Sequence, residues 1–175
     1  LIEHLRAHGL LTEGRFYLRS GAESSWYLDA RQTTFDGEGA GLVGQVVLDA
    51  LDPSVSALGG MTLGADPIAV ATTVTAWGQG RHLRAFSVRK ESKDHGTGGR
   101  LVGPVGQGDA VAVIEDTTTT GGALIEAVAV AAEAGLEVRQ VIALVDRSGG
   151  SVAALFAGTG IPYRALIVPS DLGVE

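Results

Sequence analysis

Short apolar runs alternate along this chain with longer helix-like stretches, and polar, glycine-rich turns separate them. Residues 1–11 predict a short N-terminal helix. Residues 14–30, GRFYLRSGAESSWYLDA, predict two strands around a Ser-Gly turn, with Phe16, Leu18, Trp26 and Leu28 as apolar positions. Residues 39–51 predict a helix ended by Asp52-Pro53. A repeating strand–helix pattern follows. Residues 55–59 predict a strand leading into the turn GGMTLGADP, and 67–77 a helix that starts at proline with Asp66 as its N-cap. Residues 83–88 predict a strand. Residues 89–108 predict a long glycine-rich connection without apolar periodicity, of a kind often used as a functional lid. Residues 111–114, VAVI, have the make-up of a buried parallel strand. Residues 124–135 predict a helix closed by glycine, 138–145 a strand, 152–158 a helix and 164–168 a last strand.

About five strands alternating with helices imply an α/β fold, a mostly parallel sheet flanked by helices. The N-terminal hairpin is left over and predicts a small hood above the C-terminal strand ends. A length of 175 residues suits one domain with a substantial core and is short for two. The expected division is 1–38 for the N-terminal helix and hood, and 39–175 for the α/β core. Trp26 and Trp77 read as core residues.

Four polar turns fall at the C-terminal ends of predicted strands: 59–66, 89–108, 115–123 and 146–150. In this architecture they converge on one crevice, where ligands bind. The third turn, EDTTTTGGA, runs from a strand end into a helix start. Free helix N–H groups, threonine hydroxyls and glycines that permit close approach make a phosphate cradle. Glu115 and Asp116 would repel phosphate alone. They make sense if the ligand also carries hydroxyls or a magnesium ion, as a sugar phosphate with a diol or a diphosphate does. The run is neither a Walker A loop nor G-x-G-x-x-G. The plain alternative is a strand–helix turn capped by its own acids.

Composition sharpens one region. The chain carries 13 basic and 20 acidic residues, a formal charge of −7, which argues against a general nucleic-acid binder. There is no cysteine, so no disulfide and no thiolate metal site, as fits a cytoplasmic protein. No apolar run approaches the ~20 residues that span a bilayer. Yet residues 81–100 hold six Lys/Arg against two acids, including the chain's only lysines, Lys90 and Lys93. A solvated face is the ordinary account of a charge run. Arginine would serve a surface equally well, whereas lysine is a compact, mobile charge with a tunable pKa.

VAVIEDTTTTGGA resembles the phosphoribosyl-diphosphate (PRPP) motif of the type I phosphoribosyltransferases, and RKESKDHGTGG resembles the mobile catalytic loop of the orotate phosphoribosyltransferase family. Thr118 departs from the first motif, where an aliphatic residue is usual. The resemblance extends over most of the chain and implies the type I phosphoribosyltransferase fold, Mg²⁺, and the products orotidine 5′-monophosphate and pyrophosphate. It also implies a homodimer in which the 89–108 loop reaches the neighbouring subunit's site. On this resemblance Lys93, His95 and Asp116 are catalytic. PRPP falls to Arg19, Arg89, Lys90, Lys93, His95, Glu115, Asp116, Thr117, Thr118, Thr119, Thr120, Gly121, Gly122 and Ala123. Orotate falls to Thr119, Arg147, Tyr27 and Leu28, with Mg²⁺ carried mainly by PRPP and the acid pair nearby rather than ligating it.

The residue chemistry agrees with these roles. Arg89, Lys90, Lys93 and His95 can meet the charge on departing pyrophosphate. Gly96, Gly98 and Gly99 would let the loop close and exclude water. Arg147 can grip a carboxylate in bidentate fashion, although a surface ion pair with Asp146 is the simpler alternative. The hood departs from the family at Arg19, which replaces a lysine, and at Tyr27-Leu28, which replace an aromatic pair. Base contact there through backbone would tolerate that change. GGMTLGADP lacks the lysine that some members carry, so N–H groups of residues 63–65 would serve the pyrophosphate instead. Two alternatives stay open: a purine or other phosphoribosyltransferase, and a non-catalytic, PRPP-sensing, nucleic-acid-binding regulator of the same fold.

Overall fold

The computed structural model describes residues 1–17, 23–93 and 99–175, the side chains of residues 17, 92 and 93 excepted. Its first elements are helix α1 (Ile2–His8), strands β1 (Leu10–Leu11), β2 (Phe16–Tyr17), β3 (Glu23–Ser24) and β4 (Tyr27–Leu28), and a helical turn α2 (Arg31–Thr34). The predicted hairpin is present as β2 against β3. Tyr27 and Leu28 pair instead with Leu11 and Leu10, so the chain leaves its first helix as a strand where helix was expected.

The core follows as α3 (Gly37–Ala50), β5 (Ala57–Met61), α4 (Ala65–Gly78), β6 (Arg84–Lys93), β7 (Gly99–Val102), β8 (Ala110–Thr118), α5 (Gly122–Glu133), β9 (Glu137–Asp146), α6 (Ser151–Ala157) and β10 (Tyr163–Ile167). One six-stranded sheet forms in the order β10-β9-β8-β5-β6-β7. Five strands are parallel, as expected, and β7 is an antiparallel edge. The order reverses between β5 and β8, which places the ligand crevice beyond their carboxyl ends.

Successive strand residues point to opposite faces, and both faces are covered. On β8, Ala112 and Ile114 join one apolar cluster with Leu58, Val47 and Ile68, under α3 and α4. Val111 and Val113 join the other with Leu124, Ala127 and Val152, under α5 and α6. Ile114 and Leu58 are fully buried. Truncating either to alanine would cost about 2–5 kcal/mol. The base of the hood belongs to the first cluster through Leu5, Trp26 and Leu28, so the hood is tied to the sheet.

Three local expectations are corrected. Residues 89–108 are not a structureless connection: β6 runs on to Lys93 and β7 returns against it, with Lys93 opposite Gly99. Arg100 pins this return by donating from Nε to the Arg89 carbonyl at 2.7 Å and by pairing with Glu126 of α5. Asp66 does not cap α4; that helix starts two residues earlier than expected, its N-cap is Gly64, and Asp66 accepts the Thr62 hydroxyl at 2.6 Å. Trp77 is not in the core. It is 72% exposed on the outer side of α4, beside exposed Val70 and Val74.

Among the described residues, no helix is long and apolar enough to cross a membrane.

Candidate active site

Strand β8 carries the acid pair to the crevice. Glu115 and Asp116 are half-buried at its carboxyl end. Burial pushes the Glu115 carboxyl up to about 8; neighbouring Asp116 adds to the rise, and the Lys90 charge opposes it. Asp116 is also raised by burial, against the Thr117 N–H, which donates to Oδ1 at 2.7 Å, and the Arg31 guanidinium. Glu115 Oε2 is buried and has no hydrogen-bond partner among the described residues. Two adjacent, poorly solvated carboxyls with spare acceptor capacity suit ligand hydroxyls.

An uncapped helix lies on either side of this pair. Helix α5 has Gly121 as its N-cap, whose φ of +76° favours glycine, and no side chain caps it. Its first-turn N–H groups are therefore free for an anion, as the cradle predicts. Thr119, Thr120 and Gly122 are exposed there, and Gly121 is buried while Ala123 is half-buried. Thr118 is 4% exposed and pairs with Asp146 across the sheet. Its buried side chain accounts for the aliphatic preference at that position: threonine is β-branched and close to valine in shape, and any ligand contact falls to its backbone.

Helix α4 offers the second terminus. Its N-cap Gly64 also lacks a side-chain cap, and a Cβ placed there would lie 2.6 Å from Asp116 Oδ1. Any larger residue at this approach would force the Asp116 carboxylate or the turn to shift. The turn after β5 thus touches the acid pair, and the α4 terminus opens beside it. Asp66 Oδ1 is buried without a partner among the described residues. The Thr62–Leu63 peptide bond is cis.

The basic segment reaches the same place from β6. Arg89 is half-buried, and exposed Lys90 comes close enough to act on Glu115. The backbone of Lys93 ends the strand, while its side chain, His95 and the glycines Gly96 and Gly98 lie outside the described residues. Arg19 likewise lies outside them.

Arg147 follows β9. Its N–H donates to the Thr118 carbonyl at 2.8 Å, which ties this turn to the end of β8. No ion pair with Asp146 forms: Asp146 accepts the Ser148 N–H at 2.6 Å and the Tyr163 hydroxyl at 2.8 Å. Instead the Arg147 guanidinium carbon stands 3.7 Å from the centre of the Trp26 ring. Tyr27 is 36% exposed and stacks on Phe16, whereas Leu28 is buried, which leaves only its backbone for a ligand.

The structure therefore gathers the acid pair, the α5 cradle, the α4 turn, Lys90, Arg147 and Tyr27 at one edge. Sequence reasoning missed the approach of Gly64 to Asp116, the Asp29–Arg31 pair (2.7 Å) beside Asp116, and the contact of Trp26 with Arg147. No local pattern marks these residues, because each acts across more than twenty positions of sequence or through backbone shape.

Two uncapped helix termini flanking an acid pair, at the switch point of a mostly parallel sheet with a hood, define a type I phosphoribosyltransferase. Comparison with known proteins narrows the class. No protein-family profile matches the chain. Orotate phosphoribosyltransferase of Streptomyces avermitilis is 46% identical over 166 residues, 94% of this chain and 91% of that protein. Its counterpart in Thermosynechococcus vestitus is 46% identical over 160 residues, 91% of this chain and 84% of that protein. The fold matches Mycobacterium tuberculosis orotate phosphoribosyltransferase in complex with PRPP, with a TM-score of 0.82, 32% identity and coverage of 99% and 96% of the two chains. The chain belongs to the orotate phosphoribosyltransferase family.

Proposed function

We propose that this crevice transfers the 5-phosphoribosyl group of PRPP to orotate, giving orotidine 5′-monophosphate and pyrophosphate. The observation that carries the reading is the acid pair set between two uncapped helix termini, with a cationic side chain, Arg147, standing across from it. PRPP has a phosphate at one end, a diphosphate at the other and a diol between. The α5 terminus with residues 117–123 takes the 5′-phosphate, Glu115 and Asp116 take the ribose hydroxyls, and N–H groups of residues 63–65 take the diphosphate.

The bond from C1 to the diphosphate oxygen breaks as the bond from orotate N1 to C1 forms, and the proton of N1 leaves with pyrophosphate or to water. Positive charge develops on the ribose ring, and Asp116 and Glu115 stabilise it. Pyrophosphate leaves with added negative charge, and neutralising it falls to Arg89, Lys90, Lys93, His95 and Arg19 on this reading. Arg147 takes the orotate carboxylate, and Thr119, Tyr27 and the Leu28 backbone complete that pocket.

The donor set fits Mg²⁺ that arrives on PRPP. No cluster of three or more His, Asp or Glu side chains among the described residues is placed to hold a metal ion, while Glu115 keeps an unpartnered buried oxygen at the acid pair. When bound, Mg²⁺ neutralises diphosphate charge.

The chain works in this reading as one phosphoribosyltransferase unit in a homodimer, with the 89–108 segment serving the neighbouring subunit's site. The antiparallel β6–β7 extension at the sheet edge supports that role. Mixing subunits disabled at Lys93 with subunits disabled at Asp116 should restore activity; absence of rescue would assign each loop to its own site.

Loss of orotate absorbance on addition of PRPP and Mg²⁺ tests the reaction directly. Turnover with orotate but not with adenine or hypoxanthine is expected. Turnover of a purine in place of orotate would overturn the assignment.

A further inference from the structure

Trp26 is packed and hydrogen-bonded beside the crevice. It is 5% exposed and shares an apolar cluster with Leu5, Leu28 and Leu172. Its Nε1–H donates to the Glu175 carbonyl at 2.8 Å, which fixes the ring's rotation. One face remains, and the Arg147 guanidinium covers it at 3.7 Å.

That arrangement is unusual for a half-buried arginine. Among the described residues, no carboxylate pairs with Arg147, and the neighbouring Asp146 is fully engaged by Ser148 and Tyr163. The polar contacts of the guanidinium, to Ser24 Oγ at 3.4 Å and the Trp26 carbonyl at 3.5 Å, are long. A carboxylate partner would position the group but cancel its charge. An aromatic face attracts the cation while leaving the N–H donors at the guanidinium edge free.

We infer that Trp26 is a positioning residue for orotate recognition: its indole face holds Arg147 in place with its charge uncompensated and its donors free for the substrate carboxylate. This rests on the reading that Arg147 takes that carboxylate. Trp26 itself touches no reacting atom. The N–H···O bond from Arg147 to Thr118 fixes the backbone of the turn, and Trp26 fixes the end of the side chain.

Steady-state kinetics of four proteins test the inference. Trp26→Leu should raise the orotate KM about tenfold and leave the PRPP KM within about twofold, the loss of one cation–π contact acting on one substrate only. Trp26→Phe, which keeps an aromatic face, should recover most of that change. In an Arg147→Ala background, which itself raises the orotate KM, Trp26→Leu should add nothing further. Should Trp26→Leu fail to fold, replacement of tryptophan by 5-fluorotryptophan keeps the ring's shape and lowers the negative potential of its face. The orotate KM should then rise severalfold at unchanged PRPP KM. An unchanged orotate KM in Arg147→Ala would remove the underlying reading of Arg147. A raised value there, with no effect of Trp26→Leu or of the fluorinated ring, would overturn the role of Trp26 alone. Equal rises in both KM values would also overturn it, by showing a general disturbance.

Discussion

The two sides of the crevice are built from different materials. On the proposed PRPP side the cradles for phosphate are backbone: the uncapped N-termini of α4 and α5, beside a glycine pressed against Asp116. On the proposed orotate side the substrate carboxylate meets a side chain, Arg147 held by Trp26. Backbone recognition demands shape and tolerates changes of side chain. On the proposed reading, backbone recognition lets the turn GGMTLGADP dispense with a lysine. Side-chain recognition demands particular residues, and it is where substrates are told apart.

The contrast breaks most sharply at Gly64. A valine there would collide with the Asp116 carboxylate and displace the α4 turn. Misplacement of about 1 Å at a reacting centre costs on the order of a hundredfold. Gly64→Val should therefore lower kcat/KM for PRPP by about that factor, as initial rates at varied PRPP would reveal. Retention of parental kinetics would show that the turn is not part of the site.

Lys93→Ala should lower kcat by about the hundredfold or more expected for one lost transition-state charge contact, with far less effect on PRPP binding. An unchanged kcat would take Lys93 out of the chemistry.

A smaller effect concerns stability. The Glu115 carboxyl has its ordinary value of 4.5 raised to about 8 in the folded protein, chiefly by burial. A group raised in this way favours the folded state fully below its unfolded value and loses that contribution as pH climbs through the folded one. The parent protein thus gives up stability between about pH 4.5 and pH 8 on this account. Glu115→Gln should melt higher than the parent at pH 8.5 and no higher near pH 5, at about 2–4 °C for each kcal/mol recovered. Above pH 8, where the parent carboxyl is ionised, it should also bind PRPP less well, since the diol loses that acceptor. Identical melting curves at both pH values would show that the carboxyl is not buried as described.

Much of this could be read from residues alone, and the exceptions share causes. VAVI followed by acids, threonines and glycines specified strand β8, its turn and helix α5, because local pattern and tertiary role agree there. Strand β6 runs five residues past its predicted end. RKESK has no apolar alternation, and only pairing of that edge with β7 extends it. Trp77 was misplaced because the α4 sequence, ADPIAVATTVTAWG, carries apolar residues on every side. No polar stripe marks its outer face. Asp66 had the composition of a cap, but a hydroxyl four residues earlier claims its carboxylate. Thr118 looked anomalous in the motif until its burial made shape, rather than polarity, the relevant property.

The division of the crevice is tested most directly by calorimetric titration of PRPP with Mg²⁺ into Arg147→Ala. A PRPP side that makes no use of Arg147 predicts a PRPP Kd within about twofold of the parent, while orotate turnover at subsaturating orotate falls about 10–100-fold for one lost charge-assisted hydrogen bond. A PRPP affinity that falls together with orotate turnover would contradict it.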